Sequence, residues 1–273
     1  MGDTFTDPLR AGRGFLITGP RGQLGTALAE VFPAADRTWY DVTRPLPVRP
    51  DLVLHTAAWT DVDAAEAERE AVERVNVLGT RNVVGTGAPV VYFSTDYVFD
   101  GAKGEPYVES DEPNPLSVYG QTKLQGEGEI EKGWIVRSSW LFGPTGKNFV
   151  RTMLSLGRQR NEVRVVADQC GSPTYVEHLA AAVRDVVELP YGTYHVAGGG
   201  ECSWAEFAKA IFDEADIRCR VVPVTSAELG RPASRPARSD LVSERPQAPG
   251  LPHWRSGLRA CLERLAGQLA EPS

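Results

Sequence analysis

Short apolar runs alternate along this chain with longer segments in which apolar residues recur every three or four positions. The short runs are typical of buried strands, and the longer period is typical of amphipathic helices. The predicted strands cover 14–18, 51–57, 89–94, 134–138 and 163–166. The predicted helices cover 23–31, 65–84, 116–131, 146–159, 175–188 and 203–214. This alternation predicts an α/β fold, a Rossmann-type doubly wound parallel sheet.

Three glycines follow the first predicted strand at intervals of three residues. The strand ends at Thr18, and Gly19, Gly22 and Gly25 then form a G-x-x-G-x-x-G pattern at the start of a helix. The first glycine allows a tight turn, the second lets backbone N–H groups approach a pyrophosphate, and the third lets the helix pack closely on the sheet. The helix N-terminus then faces the phosphates with free N–H groups and a positive dipole end. The pattern also fits an ordinary Gly-rich turn, but its place between strand and helix favours a dinucleotide site.

A tyrosine and a lysine stand four residues apart in the predicted helix 116–131. Tyr119 and Lys123 therefore share one helix face, one turn from each other. The lysine ammonium, together with a nicotinamide cation when the cofactor is oxidised, is expected to lower the pKa of the phenol below its free value of about 10. Such a phenol can exchange a proton with an alcohol oxygen, and the hydroxyl of Thr95 can hydrogen-bond the same oxygen. Tyr-x-x-x-Lys pairs arise by chance on many helices, so the weight of this one comes from the glycine pattern upstream.

Composition and charge exclude some classes of protein without selecting one. The 273 residues have 24% charged side chains and a mean hydropathy of −0.26, which is ordinary for a globular protein. A net charge of −7 argues against nucleic acid or an anionic membrane as a partner. No apolar run is long enough to span a membrane, and the first residues lack the apolar core of a signal peptide. The four cysteines have no metal-type spacing and are expected to be unpaired thiols in a reducing cytoplasm.

Longer motifs make the chain resemble one family. Ser-Thr-Asp-Tyr-Val-Phe-Asp-Gly spans 94–101 and Asp-Gln-Cys-Gly-Ser-Pro-Thr-Tyr spans 168–175, and both are far more specific than a glycine pattern. Further matching segments lie at 22–25, 41–43, 55–63, 66, 75–76, 119–127, 137–143, 148–154, 203–208 and 235–239. Through these segments the chain resembles the extended short-chain dehydrogenase/reductases, and among them the dTDP-4-dehydrorhamnose reductase family. The resemblance covers residues 13 to 267.

The resemblance implies roles for individual residues. Thr95, Tyr119 and Lys123 match the catalytic positions of the family. The positions that match cofactor-lining ones, or that the glycine pattern and charge suggest, are Gly19, Arg21, Gly22, Gln23, Leu24, Arg37, Asp41, Val42, Ala57, Ala58, Trp59 and Thr60, with Tyr119 and Lys123. No metal site is expected, because the histidines lack ligand spacing and the carboxylates at 61, 63 and 66 are typical of a helix N-terminus. His55, at the end of a buried strand, is expected to be a satisfied core residue.

Substrate contacts are implied for four residues. Thr95, Asp96 and Trp140 match positions that touch the nucleotide sugar, although Trp140 would also suit a core. Arg235 stands in an Arg-Pro-x-x-Ser element and can pair with a diphosphate. A surface arginine in a Pro-rich loop is the equal alternative for Arg235.

The choice of cofactor depends on the residues that follow the second strand. An acidic residue there binds the ribose diol of NAD, whereas an arginine suits the phosphate of NADP. This chain has Asp36 and Arg37 side by side, with Arg21 in the glycine turn. Two guanidiniums near one position favour a phosphate, so NADPH is the expected cofactor, with NADH also tolerated. The alternative is that both arginines are solvated surface charges.

Three regions are expected along the chain. Residues 1–13 are predicted to be a flexible tail, and 14–160 to form the NAD(P)-binding core. Residues 161–273 are predicted to form mainly a small C-terminal substrate-binding lobe, interleaved with the core because no linker or repeat separates them. Only 35–40 is available for the second strand, and prolines over 45–50 replace the helix that is usual in the family.

The resemblance also implies a reaction, the NAD(P)H-dependent reduction of the C4 ketone of a dTDP-4-keto-6-deoxyhexose. The first expectation is dTDP-4-dehydro-β-L-rhamnose as substrate, with a monomer or homodimer as the enzyme. Arginine outnumbers lysine 24 to 5, which suggests a G+C-rich genome, where related reductases make other dTDP-deoxysugars of secondary metabolism. Other relatives bind NADP as non-catalytic regulatory subunits, as the β subunit of methionine adenosyltransferase does. The joint presence of Thr95, Tyr119 and Lys123 favours an enzyme.

Overall fold

The computed structural model describes residues 14–270, so the predicted tail 1–13 lies outside the described residues. The strands are β1 (Phe15–Thr18), β2 (Leu52–His55), β3 (Val90–Thr95), β4 (Gly133–Ser138), β5 (Leu141–Phe142), β6 (Glu162–Val166), β7 (Cys170–Gly171), β8 (Thr174–Tyr175), β9 (Gly192–His195), β10 (Cys202–Ser203) and β11 (Arg220–Val224). The α-helices are α1 (Gln23–Val31), α2 (Val62–Ala67), α3 (Arg69–Glu73), α4 (Gly79–Val84), α5 (Val118–Gly128), α6 (Phe149–Gln159), α7 (Val176–Val186), α8 (Trp204–Glu214), α9 (Ser226–Leu229) and α10 (Trp254–Ala270). No helix between residues 14 and 270 is long and apolar enough to cross a bilayer.

A parallel sheet of five strands forms the centre of the molecule, in the order β1, β2, β3, β4, β9. Side chains of β1 alternate between its two faces. Phe15 and Ile17 pack in one core with α1 and α7, while Leu16 packs on the other face with Val53 and with Val83 of α4. Helices therefore cover both faces, and the predicted doubly wound α/β fold is confirmed.

The predicted second strand is reduced to a single residue. Asp36 bridges Leu16 of β1, with Ile17 N donating to Asp36 O at 2.9 Å and Asp36 N donating to Phe15 O at 2.7 Å. The rest of 35–40 forms no strand, and 41–50 forms no helix, as its prolines predict. Asp36 lies on one side of β1 and β2 lies on the other, so the strand order reverses at β1. In open α/β sheets a ligand crevice forms at the carboxyl ends of strands at such a point.

The predicted strand 163–166 does not belong to the main sheet. It forms part of β6, which pairs in parallel with β11, while β9 takes the fifth place beside β4. In β6 the exposed Glu162 and Arg164 alternate with the buried Val163 and Val165, as expected for a sheet with one wet face. The predicted strand itself is confirmed, while its partner β11 could not be predicted, because an apolar run identifies a strand but not its neighbours.

The predicted helix 65–84 is broken into α2, α3, a π-helical turn at Arg74–Leu78, and α4. The other five predicted helices are confirmed as α1, α5, α6, α7 and α8, with ends shifted by a few residues. A π-turn inside a helix often occurs at a functional site, because it redirects the side chains around it. Here it places Asn76 in the interior.

A second core lies beside the main sheet. It is built by α6, α8, α10 and β6, with Phe207, Ile211 and Leu258 fully buried. Between β6 and α8 the chain returns to the first core, where α7 packs and β9 joins the sheet. The chain therefore crosses between the two cores more than once.

Candidate active site

The glycine turn between β1 and α1 has the close backbone approaches that a pyrophosphate site needs. Gly19 has φ +64°, and a Cβ there would lie 2.9 Å from the backbone of Ala57. A Cβ on Gly25 would lie 2.3 Å from the Gly19 carbonyl oxygen, so the third glycine packs α1 against the turn and not against the sheet as predicted. Gly22 is the N-cap of α1, and no side chain caps that end. The N–H groups of the first turn of α1 therefore remain available to an anion, which fits a dinucleotide diphosphate.

Three predicted cofactor residues flank this turn. Arg21 is exposed beside Gly22, and Gln23 begins α1 with its side chain half-buried. The Gln23 Oε1 atom is buried without a hydrogen-bond donor among residues 14–270. Leu24 is buried in the first core, so only its backbone N–H can face a ligand.

His55 at the end of β2 supports the crevice from below. Its Nδ1 lies 2.7 Å from Thr18 Oγ1 and its Nε2 lies 3.1 Å from Thr80 Oγ1. Because Thr80 donates its own hydroxyl to Asn76 O, it accepts from Nε2–H. Burial, and then the charge of Lys123, lower the pKa of His55 to about 3. His55 is therefore neutral and satisfied, as predicted.

The loop after β2 forms the second wall of the crevice, and it carries the predicted Ala57, Ala58, Trp59 and Thr60. Trp59 N donates to Asn76 Oδ1 at 2.8 Å, and the Asn76 amide donates to Trp59 O at 3.3 Å and to Thr122 Oγ1 at 3.0 Å. Asn76 thereby connects this loop to α5. The sequence analysis assigned Asn76 no role, although a polar residue inside an apolar helical pattern was a usable signal.

The predicted adenosine side of the crevice is exposed. Arg21 and Arg37 both point into solvent-accessible space at its two edges. Asp36 accepts from Thr38 N at 2.8 Å, and hydrogen bonds from the Thr38 side chain and backbone lower the pKa of Asp36. The acidic residue is thus engaged in a turn, while the exposed Arg37 forms no ion pair with residues 14–270.

Asp41 and Val42 lie at the same edge. Asp41 accepts from Thr43 Oγ1 at 2.8 Å and from Thr43 N at 3.1 Å, which lowers the pKa of Asp41. Val42 is buried, and its carbonyl oxygen accepts from Asn82 Nδ2 at 2.9 Å. These hydrogen bonds hold the loop in one conformation without a regular strand.

The end of β3 and the first turns of α5 bring the predicted catalytic residues together. Thr95 is the last residue of β3, and Tyr119 and Lys123 follow one another on the inner face of α5. A Cβ on Gly120 would lie 2.2 Å from Tyr97 O, so α5 approaches the strand end closely only because residue 120 is glycine.

Tyr119 and Lys123 have the opposite electrostatics from those expected. Burial raises the pKa of Tyr119 to about 12, although the Thr95 hydroxyl lowers it, and the Asp96 carboxylate raises it further. Burial also lowers the pKa of Lys123 to about 7. Its Nζ donates to Phe93 O at 2.7 Å and so points along the strand. The predicted lowering of the Tyr119 pKa is wrong for the protein chain by itself, since burial outweighs the hydrogen bond from Thr95.

Asp96 is buried next to these groups. Its Oδ2 accepts from Ser239 Oγ at 2.5 Å and its Oδ1 accepts from Thr95 Oγ1 at 3.2 Å. Burial raises the pKa of Asp96 to about 7 against the two hydrogen bonds. Ser239 N in turn donates to Cys170 O at 2.9 Å, so this serine connects the second core to the catalytic strand. No role was predicted for Ser239, which ends the Arg-Pro-x-x-Ser element.

Trp140 lies at the boundary of the second core with 9% of its surface exposed. Its ring stacks on Trp204 with 3.5 Å between centroids, and a Cβ on Gly171 would lie 2.5 Å from Trp140 Cε2. Its φ is +49°, a strained value for a non-glycine residue. Trp204 covers one face of the indole, and the buried Nε1 atom, which lies close to Gly171, has no acceptor within the described chain.

The side chain of Arg235 is mostly buried and is paired with the carboxylate of Asp63. Its Nη1 donates to Asp63 Oδ1 at 2.9 Å, and 12% of its side chain is exposed. Arg231 donates to the other Asp63 oxygen at 2.9 Å. Burial opposes them, but these two hydrogen bonds hold the pKa of Asp63 at about 2. Both arginines line a cavity of about 270 Å³, together with Gln169 and Ser226.

The other two carboxylates of the predicted N-terminal cluster behave differently from Asp63. Asp61 caps α2 by accepting from Ala64 N at 3.1 Å, as predicted. Glu66 accepts from Val118 N at 2.9 Å and so supports the start of α5.

The four cysteines, all within the described range, are unpaired as predicted.

Known proteins are similar to this chain over most of its length. A family model described as the RmlD substrate binding domain matches residues 13–266. The spore coat polysaccharide biosynthesis protein SpsK of Bacillus subtilis is 38% identical over 91% of this chain and 96% of that protein. A dTDP-4-dehydrorhamnose reductase of Streptomyces griseus is 37% identical over 94% of this chain and 96% of its own.

Solved structures agree with the family model. The dTDP-4-dehydrorhamnose reductase of Bacillus anthracis, crystallised in complex with NADP, has a TM-score of 0.86 and 40% identity, covering 92% of this chain and 98% of that one. The orthologue from Clostridium acetobutylicum has a TM-score of 0.88 and 38% identity, covering 92% and 99%. The chain described here belongs to the dTDP-4-dehydrorhamnose reductase family.

Proposed function

We propose that this protein is an NADPH-dependent reductase of the C4 ketone of a dTDP-4-keto-6-deoxyhexose, and that it converts dTDP-4-dehydro-β-L-rhamnose to dTDP-L-rhamnose. One observation carries the proposal. Thr95, Asp96, Tyr119 and Lys123 converge at the carboxyl end of β3, next to the glycine turn of β1. The names of the relatives and the NADP complex of the Bacillus anthracis structure support it.

In this proposal Tyr119 is the general acid. The hydride for the ketone comes from the nicotinamide of the bound cofactor. With its pKa raised, the Tyr119 phenol is protonated at neutral pH and can give its proton to the alkoxide oxygen that develops at C4. The Thr95 hydroxyl, which donates to Asp96 Oδ1 at 3.2 Å, would redirect its proton to the same oxygen and stabilise it. Lys123 would supply a positive charge beside Tyr119 and hold the cofactor ribose.

The dinucleotide is proposed to lie across the glycine turn. Gly22 N donates to Gly19 O at 3.0 Å, so the N–H groups of the first turn of α1 would hold the pyrophosphate, and the loop Ala57–Thr60 would cover the adjacent ribose. Asn76 keeps that loop in register with α5, and so with Tyr119. Cofactor and proton donor are therefore positioned by one connected set of hydrogen bonds.

The nucleotide diphosphate is proposed to occupy the cavity lined by Arg231 and Arg235. Two guanidiniums and the Gln169 amide line it as donors, and the amide already gives one of its two N–H groups to Ser226 Oγ at 2.8 Å. Asp63 already accepts from both arginines, so it would hold them in place while a diphosphate engaged their remaining N–H groups. Asp96, and the edge of Trp140, would then meet the sugar.

The test is a substrate panel. Purified protein is incubated with NADPH and each of several dTDP-4-keto-6-deoxyhexoses, cofactor oxidation is followed by absorbance, and products are identified by NMR. We expect the fastest turnover with dTDP-4-dehydro-β-L-rhamnose. A strong preference for another 4-keto sugar would replace the rhamnose assignment with a different deoxysugar. NADPH binding without turnover on any member of the panel would favour a regulatory subunit.

A prediction on cofactor choice follows from the exposed arginines. Changing Arg37 to alanine should raise the KM for NADPH about tenfold, because a charge-assisted hydrogen bond to the 2′-phosphate is lost. The KM for NADH, which lacks that phosphate, should stay the same. Steady-state kinetics with both cofactors measures this, with Arg21→Ala as the second site.

Arg160→Ala is the matched control for that prediction, because Arg160 is an exposed arginine at the end of α6, in the second core. It should change neither KM. An equal loss with NADPH and NADH in Arg37→Ala would show that Arg37 does not read the phosphate.

We further propose that the enzyme works in the cytoplasm, where nucleotide sugars are made, as a monomer or homodimer. Its partner is the nucleotide sugar, with no part for nucleic acid or membrane. The net charge of −7 and the unpaired cysteines support this setting.

A further inference from the structure

A buried ion pair lies beyond the catalytic lysine and has no part in the reaction proposed above. Glu127 follows Lys123 by one turn of α5, and Arg137 lies on β4. Arg137 donates from Nε to Glu127 Oε1 at 3.0 Å and from Nη2 to Oε2 at 2.7 Å. Their side chains are only 6% and 5% exposed. A bidentate pair this far from water is a fixed arrangement of opposite charges inside the protein.

One strand connects this pair to Lys123. Tyr92 and Ser94 are two residues apart on β3 and so face the same side, toward α5. The Tyr92 ring lies 4.0 Å from Lys123 Nζ, and its hydroxyl donates to Lys123 O at 3.1 Å. Ser94 Oγ donates to Glu127 Oε1 at 2.5 Å. Consecutive inward residues of one strand therefore hold the lysine and the glutamate.

The lysine itself has only neutral hydrogen-bonding partners. Its Nζ donates to the Phe93 carbonyl, it lies over the Tyr92 ring, and within residues 14–270 it forms no ion pair. The titratable groups around it are Tyr119 and Glu127 on α5, Tyr92 on β3 and His55 on β2, and Arg137 on β4 lies behind Glu127. Of these, Glu127 and Arg137 form an ion pair with each other.

We propose that Glu127 and Arg137 form an electrostatic pair that sets the charge of the Lys123 ammonium. Glu127 favours the charged lysine, and Arg137 reduces that effect by neutralising Glu127. The inference rests on the proposed function only in taking Lys123 as the lysine of the active site.

The balance between the charges of Glu127 and Arg137 matters because Lys123 titrates close to neutral pH. Burial lowers the pKa of Lys123 to about 7, and the charge of Glu127 acts against this. A modest change in the local field therefore changes the fraction of protein that carries the ammonium. A positively charged lysine favours the reaction direction proposed for Tyr119.

The test titrates Lys123 directly in cofactor-free protein. The chain has five lysines, so labelling with 15N-lysine gives five Nζ signals, and Lys123→Arg assigns one of them. Glu127→Gln leaves a guanidinium near the ammonium, so the Lys123 midpoint should fall by about one pH unit or more. Arg137→Met leaves an unpaired carboxylate there, so the midpoint should rise by a similar amount. The double variant should return toward the wild-type midpoint.

Ser94→Ala is the matched control, because it removes one hydrogen bond from Glu127 without changing any charge. Its midpoint should stay within a few tenths of a pH unit of wild type. In the loaded enzyme the alkaline limb of the kcat profile should move with the midpoint, downward for Glu127→Gln and upward for Arg137→Met.

An ion pair with only a structural role would not shift the Lys123 midpoint in opposite directions in Glu127→Gln and Arg137→Met. Midpoints that stay fixed, or that move in the same direction in both single variants, would overturn the proposal. If one single variant does not fold, the other compared with wild type and with the double variant gives the same test of sign. Because the titration needs neither cofactor nor sugar, failure of the substrate panel leaves its result independent.

Discussion

Tyr119→Phe should lower turnover by a factor of at least about 10², while the affinity for NADPH stays nearly unchanged. The substitution removes the phenolic proton and keeps the ring, so the lost part is general acid catalysis. The effect should appear in kcat more than in KM, since the proton moves only as the alkoxide forms. Stopped-flow absorbance measures the hydride step, and fluorescence titration measures the dissociation constant of the cofactor.

Tyr191→Phe is the control for this prediction, because Tyr191 is an exposed tyrosine that packs edge-on against Trp134 and lies away from α5. It should keep wild-type turnover. Near-normal turnover in Tyr119→Phe would assign the proton to another donor, and the buried Asp96 would be the first to examine, since its pKa of about 7 leaves much of it protonated at neutral pH.

The residues that carry this reaction could be found from the sequence because each lies in a short local pattern. The glycine turn, the strand that ends at Thr95 and the helical spacing of Tyr119 and Lys123 all follow from spacing within one or two elements. Local spacing determines which residues share a helix face or a strand end. The parallel sheet then brings the strand ends to one edge, which the alternation of elements already implied.

Contacts between distant segments could not be found in the same way. Ser239 reaches Asp96 across 143 residues, and Arg235 reaches Asp63 across 172. Neither pairing has a local signal, because both depend on how the segment after β11 crosses the sheet edge. The same limit applies to β9, whose Gly-Thr-Tyr-His sequence has no strand pattern and joins the sheet through its neighbour β4.

The pKa shifts of the site could not be predicted from the sequence, for a related reason. Spacing places Lys123 near Tyr119, but the depth of burial decides the direction of each pKa shift. That depth comes from Tyr92 and from the close approach of α5 at Gly120 and Gly126, where a Cβ would lie 2.2 Å from Tyr97 O and 2.3 Å from the Tyr92 hydroxyl. A motif therefore identified the acid, and packing set its protonation state.

Removing one member of the buried ion pair should have the largest effect on stability. Arg137→Met should lower the free energy of unfolding by about 3–5 kcal/mol, because it leaves the Glu127 carboxylate buried without its partner. A domain above the lower end of the usual range of about 5–15 kcal/mol survives this loss, so the variant should still fold. Chemical denaturation at neutral pH, followed by circular dichroism, measures the difference.

Replacing both members tests whether the lost stability comes from the unpaired Glu127 charge or from the change in packing. Glu127→Leu combined with Arg137→Met fills similar volume without any charge, and buried ion pairs replaced in this way often lose little stability. The remaining cost should be about 1 kcal/mol, from the Ser94 hydroxyl that loses its acceptor. Arg81→Met, which breaks the exposed pair with Glu129, is the control and should change stability little. If the double variant is as unstable as Arg137→Met, packing and not charge holds α5 on the sheet. If it recovers, the loss in Arg137→Met comes from the unpaired Glu127 carboxylate, and the ion pair itself adds little net stability to the fold.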